Sequence, residues 1–244
     1  MGARQALTIG VQSPDPMRRD KDSEYTIVEP KYSASYTLTP YGYGMQERPK
    51  YKLTSFVEIR DILAAVGVLT IAFYWVIYRS GGAGALHYLS LAAISVVAGF
   101  LIHEMSHKVV ARRYGCWAEF RADYRMLGLA LVTAFFGFLF AAPGAVMIAG
   151  NVNREQNGRI SLAGPGSNLA VALACLPLTM ISGIPATVSD IAGGLYFFSV
   201  FLAAFNMIPV LPFDGSKIWH WSKPIYIATL LAAGLLFALA LAGL

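Results

Sequence analysis

The stretch from Gly99 to Gly115, "GFLIHEMSHKVVARRYG", decides how the chain is read. Its first part continues a long apolar run, and its last part ends in Lys108, Arg112 and Arg113. Between the two stand His103, Glu104 and His107. On an α-helix, residues i and i+4 share a face, so both imidazoles point the same way. An acidic side chain at the centre of a membrane span costs about 2.5–3.5 kcal/mol on the insertion scale, and such a residue is by default a functional one. The plain alternative is a helix-end salt bridge from Glu104 to Lys108.

The surrounding composition supports a membrane setting. Of 244 residues, 56% are hydrophobic and only 14% are charged, where a soluble domain carries about a quarter charged. Five segments approach the roughly 20 apolar residues that cross a hydrocarbon core: about 62–78, 88–111, 160–184, 191–208 and 224–244. A sixth, about 127–150, is interrupted by Gly137, Pro143 and Gly144. It reads either as a span or as a re-entrant or β-hairpin element, because non-helical backbone at that depth needs protein or water beside it. Within it, "ALVTAFFGFLF" has β-rich character. The expected fold is therefore an all-α polytopic membrane protein of about five transmembrane helices plus that element. Residues 1–52 are polar, without a signal-peptide core, and read as a mostly disordered tail whose tyrosine-rich part either forms short strands or lies on the membrane surface. Residues 53–244 form the membrane domain.

The formal net charge of +5 does not call for a nucleic acid partner, because Lys and Arg cluster at span ends. Cationic residues from Arg4 to Arg60 precede the first span, and Lys108, Arg112 and Arg113 end the second. If 127–150 is re-entrant, Arg154, Arg159, Lys217 and Lys223 lie on that same side and only Arg79 lies opposite. The positive-inside rule favours this topology, with a cytoplasmic N-terminus. Cys116 and Cys175 have no metal-ligand spacing and read as small buried hydrophobes.

His103, Glu104 and His107 form H-E-x-x-H, the zinc-binding pattern in which two imidazoles grip one metal and the glutamate is the base. A third protein ligand is needed. His87 sits at the far end of the same helix, out of reach. His220, between Trp219 and Trp221, reads as part of an interfacial aromatic cluster. Asp214 is the better candidate, following an apolar span, Pro209 and Pro212, and preceding Gly215. Its alternative is an N-cap of a short interfacial helix. In the re-entrant topology Asp214 reaches the same side as the histidines, whereas in the all-spanning one a core of about 30 Å separates them.

"HEMSH" at 103–107, "AGPGSNLA" at 163–170 and "NMIPVLPFDG" at 206–215 together resemble the site-2 protease family of intramembrane zinc metalloproteases. The likeness covers about Leu101 to Gly215 and is to the prokaryotic, archaeal branch. Phe213 stands where the family motif has Leu. The resemblance implies His103, His107 and Asp214 as ligands of one Zn2+ per chain, Glu104 as catalytic base and Asn206 as a residue binding substrate or oxyanion. Asn168 matches a family position, and hydrogen bonding or packing between spans is its simplest role. The implied activity is zinc-dependent hydrolysis of peptide bonds within or near transmembrane segments, in the cell membrane of a prokaryote. The implied partners are the lipid bilayer and transmembrane protein substrates. A zinc-binding transporter or scaffold is the alternative, though no internal repeat is visible. A prenyl-protein protease would need a downstream Glu ligand, and only Glu119 and Glu155 follow His107.

Overall fold

The computed structural model describes residues 54–79, 84–140 and 142–242, with the strands β1 (Thr37–Thr39) and β2 (Gly42–Gly44). Those two strands pair as a small antiparallel hairpin inside a separate unit, Met1–Arg48. The rest of the tail, read above as disordered, lies outside the described residues.

The second unit holds α1 (Phe56–Tyr78), α2 (Ala85–Arg113), β3 (Trp117–Ala122), α3 (Tyr124–Phe135), β4 (Gly144–Ala149), α4 (Arg154–Met180), α5 (Ala186–Asn206), α6 (Asp214–Trp221) and α7 (Lys223–Leu241). Five of these helices, α1, α2, α4, α5 and α7, are long and apolar enough to cross a membrane. Large apolar side chains such as Leu63, Leu173 and Leu235 stand exposed on them. Such a surface suits lipid and not water, so the chain is an integral membrane protein. The apolar stretch of α7 is only 17% buried, against 39% in α4 and α5. α4 and α5 are thus the centre of the bundle, and α7 is peripheral.

Several helices run past the apolar limits that the sequence marks. α4 begins at Arg154, where Asn153 and Gln156 form a reciprocal capping box. α1 begins at Phe56, capped by the Ser55 hydroxyl accepting from the Glu58 amide. Hydropathy marks the lipid-facing length, but the hydrogen-bonded helix continues into the polar interface.

Residues 127–150 do not form one helix. The amide-rich end of α3 is capped by Asp123, which accepts from Arg125 and Met126. The helix then runs beside α1: the Tyr124 hydroxyl donates to Asp61, and the Arg79 guanidinium donates to the carbonyl of Phe135. The chain then returns to β4, which pairs antiparallel with β3 from Ala122↔Gly144 to Trp117↔Ala149. The segment therefore leaves and rejoins the same sheet. Most of "ALVTAFFGFLF" is helical, contrary to its β-rich character; the strand is "GAVMIA" and its partner is "WAEFRA". Burial decides this, since Ala130 and Ala134 offer a small-residue face that packs on α1 while Val132, Phe135 and Phe136 face outward.

The sheet's two outer edges differ. Phe120 N–H donates to Glu58 of α1 (3.0 Å) and Ala122 N–H to Asp61 (3.3 Å). Backbone groups alternate sides along an antiparallel strand, so the outward-facing N–H and C=O groups of β4 belong to Gly144, Val146 and Ile148. Among the described residues they have no partner strand.

Candidate metal centre

α2 carries His103 and His107 one turn apart on a buried face, and α6 delivers Asp214 opposite them. α5 ends at Asn206, and the turn through Pro209 and Pro212 folds back so tightly that a Cβ on Gly215 would overlap the Met207 carbonyl oxygen. Only glycine allows that approach. Asp214 is the first residue of α6, after the N-cap Phe213, and its carboxylate points at the histidines, so it is not a cap.

Nε2 of His107 stands 3.1 Å from Nε2 of His103 and 3.0 Å from Oδ2 of Asp214, and the third side of the triangle is 3.5 Å. The Nδ1–H of His107 donates to the Ile160 carbonyl (2.7 Å). Its Nε2 in the neutral ring is then a bare lone pair facing an anionic oxygen, which is repulsive without a cation between them. Zinc bonds of about 2.0–2.1 Å in tetrahedral geometry separate neighbouring donors by about 3.3 Å. The observed triangle fits one face of that tetrahedron. Gly164 of α4 closes a further side: a Cβ there would overlap Nε2 of His107 and lie 2.6 Å from Nε2 of His103. The donor set, its spacing and this cradle suit zinc.

Glu104 is buried beside the triad and has no hydrogen bond or ion pair among the described residues. The expected alternative, a bridge to Lys108, is not formed. Lys108 instead holds both oxygens of Glu58 at 2.6 Å. Glu104, Asn206 and Lys217 line one narrow cleft with the triad, and Gly144, Val146 and Ile148 of β4 form a wall. Its inner volume of about 80 Å³ is room enough for water. Asn206 donates through Nδ2 to the Leu202 carbonyl, one turn back on its own helix. Lys217 lies 3.7 Å from Oδ1 of Asp214, the oxygen turned away from the histidines.

The other histidines stand elsewhere. His87 pairs with Asp190 at the far end of α2, and His220 donates to the Ser216 carbonyl beside the Trp219–Tyr226 contact. Glu119 pairs with Arg121 and Ser55, and Glu155 with Arg159, so neither reaches the triad. Lys217 as a site neighbour, and the Glu58–Lys108 pair that holds β3, were not legible in the sequence. The spacing of Glu58 and Asp61, two acids one turn apart opening an apolar run, was the available signal.

Comparison with known proteins agrees with this chemistry. The chain is 39% identical over 171 residues to "Putative zinc metalloprotease MJ0611" of Methanocaldococcus jannaschii, covering 69% of this chain and 86% of that protein. It is 29% identical over 158 residues to "Putative zinc metalloprotease Rip3" of Mycobacterium tuberculosis, covering 63% of this chain and 33% of the relative. It is 22% identical over 164 residues to "Zinc metalloprotease MJ0392" of M. jannaschii, covering 67% and 39%. No family model matches, and no solved structure does. A helical membrane bundle with a buried His/His/Asp triad and these relatives defines a zinc-dependent peptidase. The chain belongs to the site-2 protease family of zinc metalloproteases.

Proposed function

We propose that this zinc metalloprotease is an intramembrane endopeptidase that cuts other membrane proteins within or near their transmembrane segments, as in regulated intramembrane proteolysis. The observation that carries the reading is the position of the triad and Glu104: they are buried in a lipid-facing bundle, beside a strand edge with no partner strand among the described residues. His103, His107 and Asp214 would hold the metal. Zinc bound there supplies Lewis-acid polarisation of a carbonyl and acidifies water. Glu104, unpaired and next to the triad, takes a proton from the attacking water and returns it to the leaving amine. Asn206 keeps one amide N–H beyond its bond to Leu202 and can donate it to the developing oxyanion or to the substrate backbone.

A transmembrane helix hides its carbonyls in i→i−4 hydrogen bonds and must unwind before attack. The outward backbone groups of Val146 and Ile148 offer the unwound segment a strand to pair with, by β-augmentation. The protease domain would be residues 53–244. Its metal-bearing end carries Lys108, Arg112, Arg113, Arg154, Arg159, Lys217 and Lys223, while Arg79 lies at the other end. This bias supports a cell membrane with the N-terminus and the catalytic end on the cytoplasmic side.

The test uses detergent-purified full chain with tagged single-span model substrates. Glu104→Gln should retain about one zinc per chain and lose cleavage by at least a thousandfold (on the order of 4 kcal/mol in the barrier). Wild-type-like cleavage by this variant would overturn the assignment.

A further inference from the structure

The two histidines of the triad are not supported alike. His107 donates its Nδ1–H to the Ile160 carbonyl. Nδ1 of His103 is buried and has no partner among the described residues. A metal-binding imidazole almost always donates its second N–H to a carboxylate, a carbonyl or water.

Other unpartnered groups lie along the same helical seam. Asn168, fully buried, has no partner for either amide atom among the described residues, and the same holds for the hydroxyls of Ser95 and Ser199, also fully buried. Ser95, Gly99, His103 and His107 follow one another at four-residue steps on one face of α2. Ser199 of α5 faces Gly99, with Oγ 3.4 Å from where a Cβ on that glycine would stand. Asn168 is one turn beyond Gly164 on α4, and Gly164 is the residue pressed against both histidines. One turn farther from the metal, Ser95 Oγ would lie 2.9 Å from a Cβ on Gly194. Gly194 also lines a cavity of about 550 Å³ at the opposite end of the bundle, whose rim carries His87 and Asp190. A row of buried polar atoms with no protein partner among the described residues is destabilising, whereas a buried water making two to four hydrogen bonds relieves several at once.

We infer that the α2–α4–α5 seam is a water-binding site, in which ordered water held by Asn168 and Ser199 accepts the Nδ1–H of His103, with Ser95 and the far cavity as its connection to solvent. Asn168 is a positioning residue: it acts on the metal through the water and His103. This inference rests on the triad as a zinc site.

The experiment uses zinc-loaded full chain in detergent, labelled with 15N-histidine, and follows magnetisation transfer from water to the two ligand Nδ1–H groups. Transfer to His103 and little to His107 is expected. Zinc affinity is measured in parallel by chelator competition. Asn168→Leu should bind zinc about 10–100-fold more weakly and lose the transfer to His103, while Asn168→Ser, which keeps a polar group and leaves room for water, should retain both. Absence of water transfer to His103 in the wild-type protein overturns the inference, whatever the variants do. So does wild-type zinc affinity in a folded Asn168→Leu, which would leave Asn168 a packing role only. Failure of the wild-type chain to bind zinc is a different result and removes the triad assignment itself.

Discussion

The two outer edges of the β3–β4 sheet are built in opposite ways. At β3, carboxylates of α1 accept the outward N–H groups of Phe120 and Ala122, and Lys108 neutralises Glu58. At β4, the corresponding groups of Val146 and Ile148 open onto the cleft that holds the triad. An open edge is normally a liability that proteins cover or charge. Here one edge is closed by buried charge, and the other has no partner strand among the described residues and stands next to the candidate metal site. The sheet is thus anchored to α1 through β3, and the proposed pairing with substrate would use the other side.

Substitutions at either edge test these roles. The largest effect is expected from Glu58→Ala, which leaves Lys108 buried without its partner. Loss of one member of a buried pair costs about 3–5 kcal/mol, so thermal unfolding in detergent should shift down sharply, and adding Lys108→Met should restore part of the loss. At the open edge, Val146→Pro removes an outward N–H while sparing the bonds to β3. Edge strands tolerate proline, so stability should change little while cleavage of a transmembrane substrate falls about 10–100-fold, equal to about 1.4–2.7 kcal/mol. Unchanged cleavage would mean that substrate does not pair with β4. A smaller effect is expected at the return segment. Asp123→Ala removes the cap of α3 and should cost about 0.5–2 kcal/mol, read as faster proteolytic nicking between α3 and β4.

The smallest effect is a pH dependence at the closed edge. Burial pushes the Glu119 carboxyl up, but hydrogen bonds from Arg121 and Ser55 and the Arg121 charge outweigh it and hold the group below the ordinary glutamate value. A depressed folded-state value contributes stability above the unfolded pKa, and that contribution is lost as pH falls through the folded one. Glu119→Gln should therefore flatten the acid side of the stability profile and leave neutral pH nearly unchanged. An identical acid slope in the variant would show that Glu119 contributes nothing there.

Much of this molecule was legible in the sequence, for reasons that differ by region. The spans follow from apolar length alone, and the triad could be argued because ionisable groups in lipid are rare and because one metal cannot bind residues on opposite faces of a membrane. The sheet was much less visible. "WAEFRA" carries two charges in six residues and reads as a loop, yet its Glu119 and Arg121 pair with each other while its alternate backbone groups are capped by α1. The "ALVTAF" part of the β-rich stretch is helical instead, because β-branched and aromatic residues facing outward from a short helix mimic a strand. Glu58 and Asp61 were hidden by their place just before the apolar run, where acids are ordinarily solvated. Each miss concerns a partner supplied from a distant part of the chain.

The turn that carries Asp214 back to α2 has a mechanical consequence. His107 and Asp214 are separated by roughly a hundred residues, and a crosslink closing a loop of that size restricts the unfolded chain by about 4.7 kcal/mol in the chain-entropy model. Zinc held by both would be a fastener as well as a reagent, clamping α6 and the start of α7 to the helix that carries the histidines. Chelation should then loosen α6 and the start of α7 along with silencing the protein, and amide exchange in α6 should report the release.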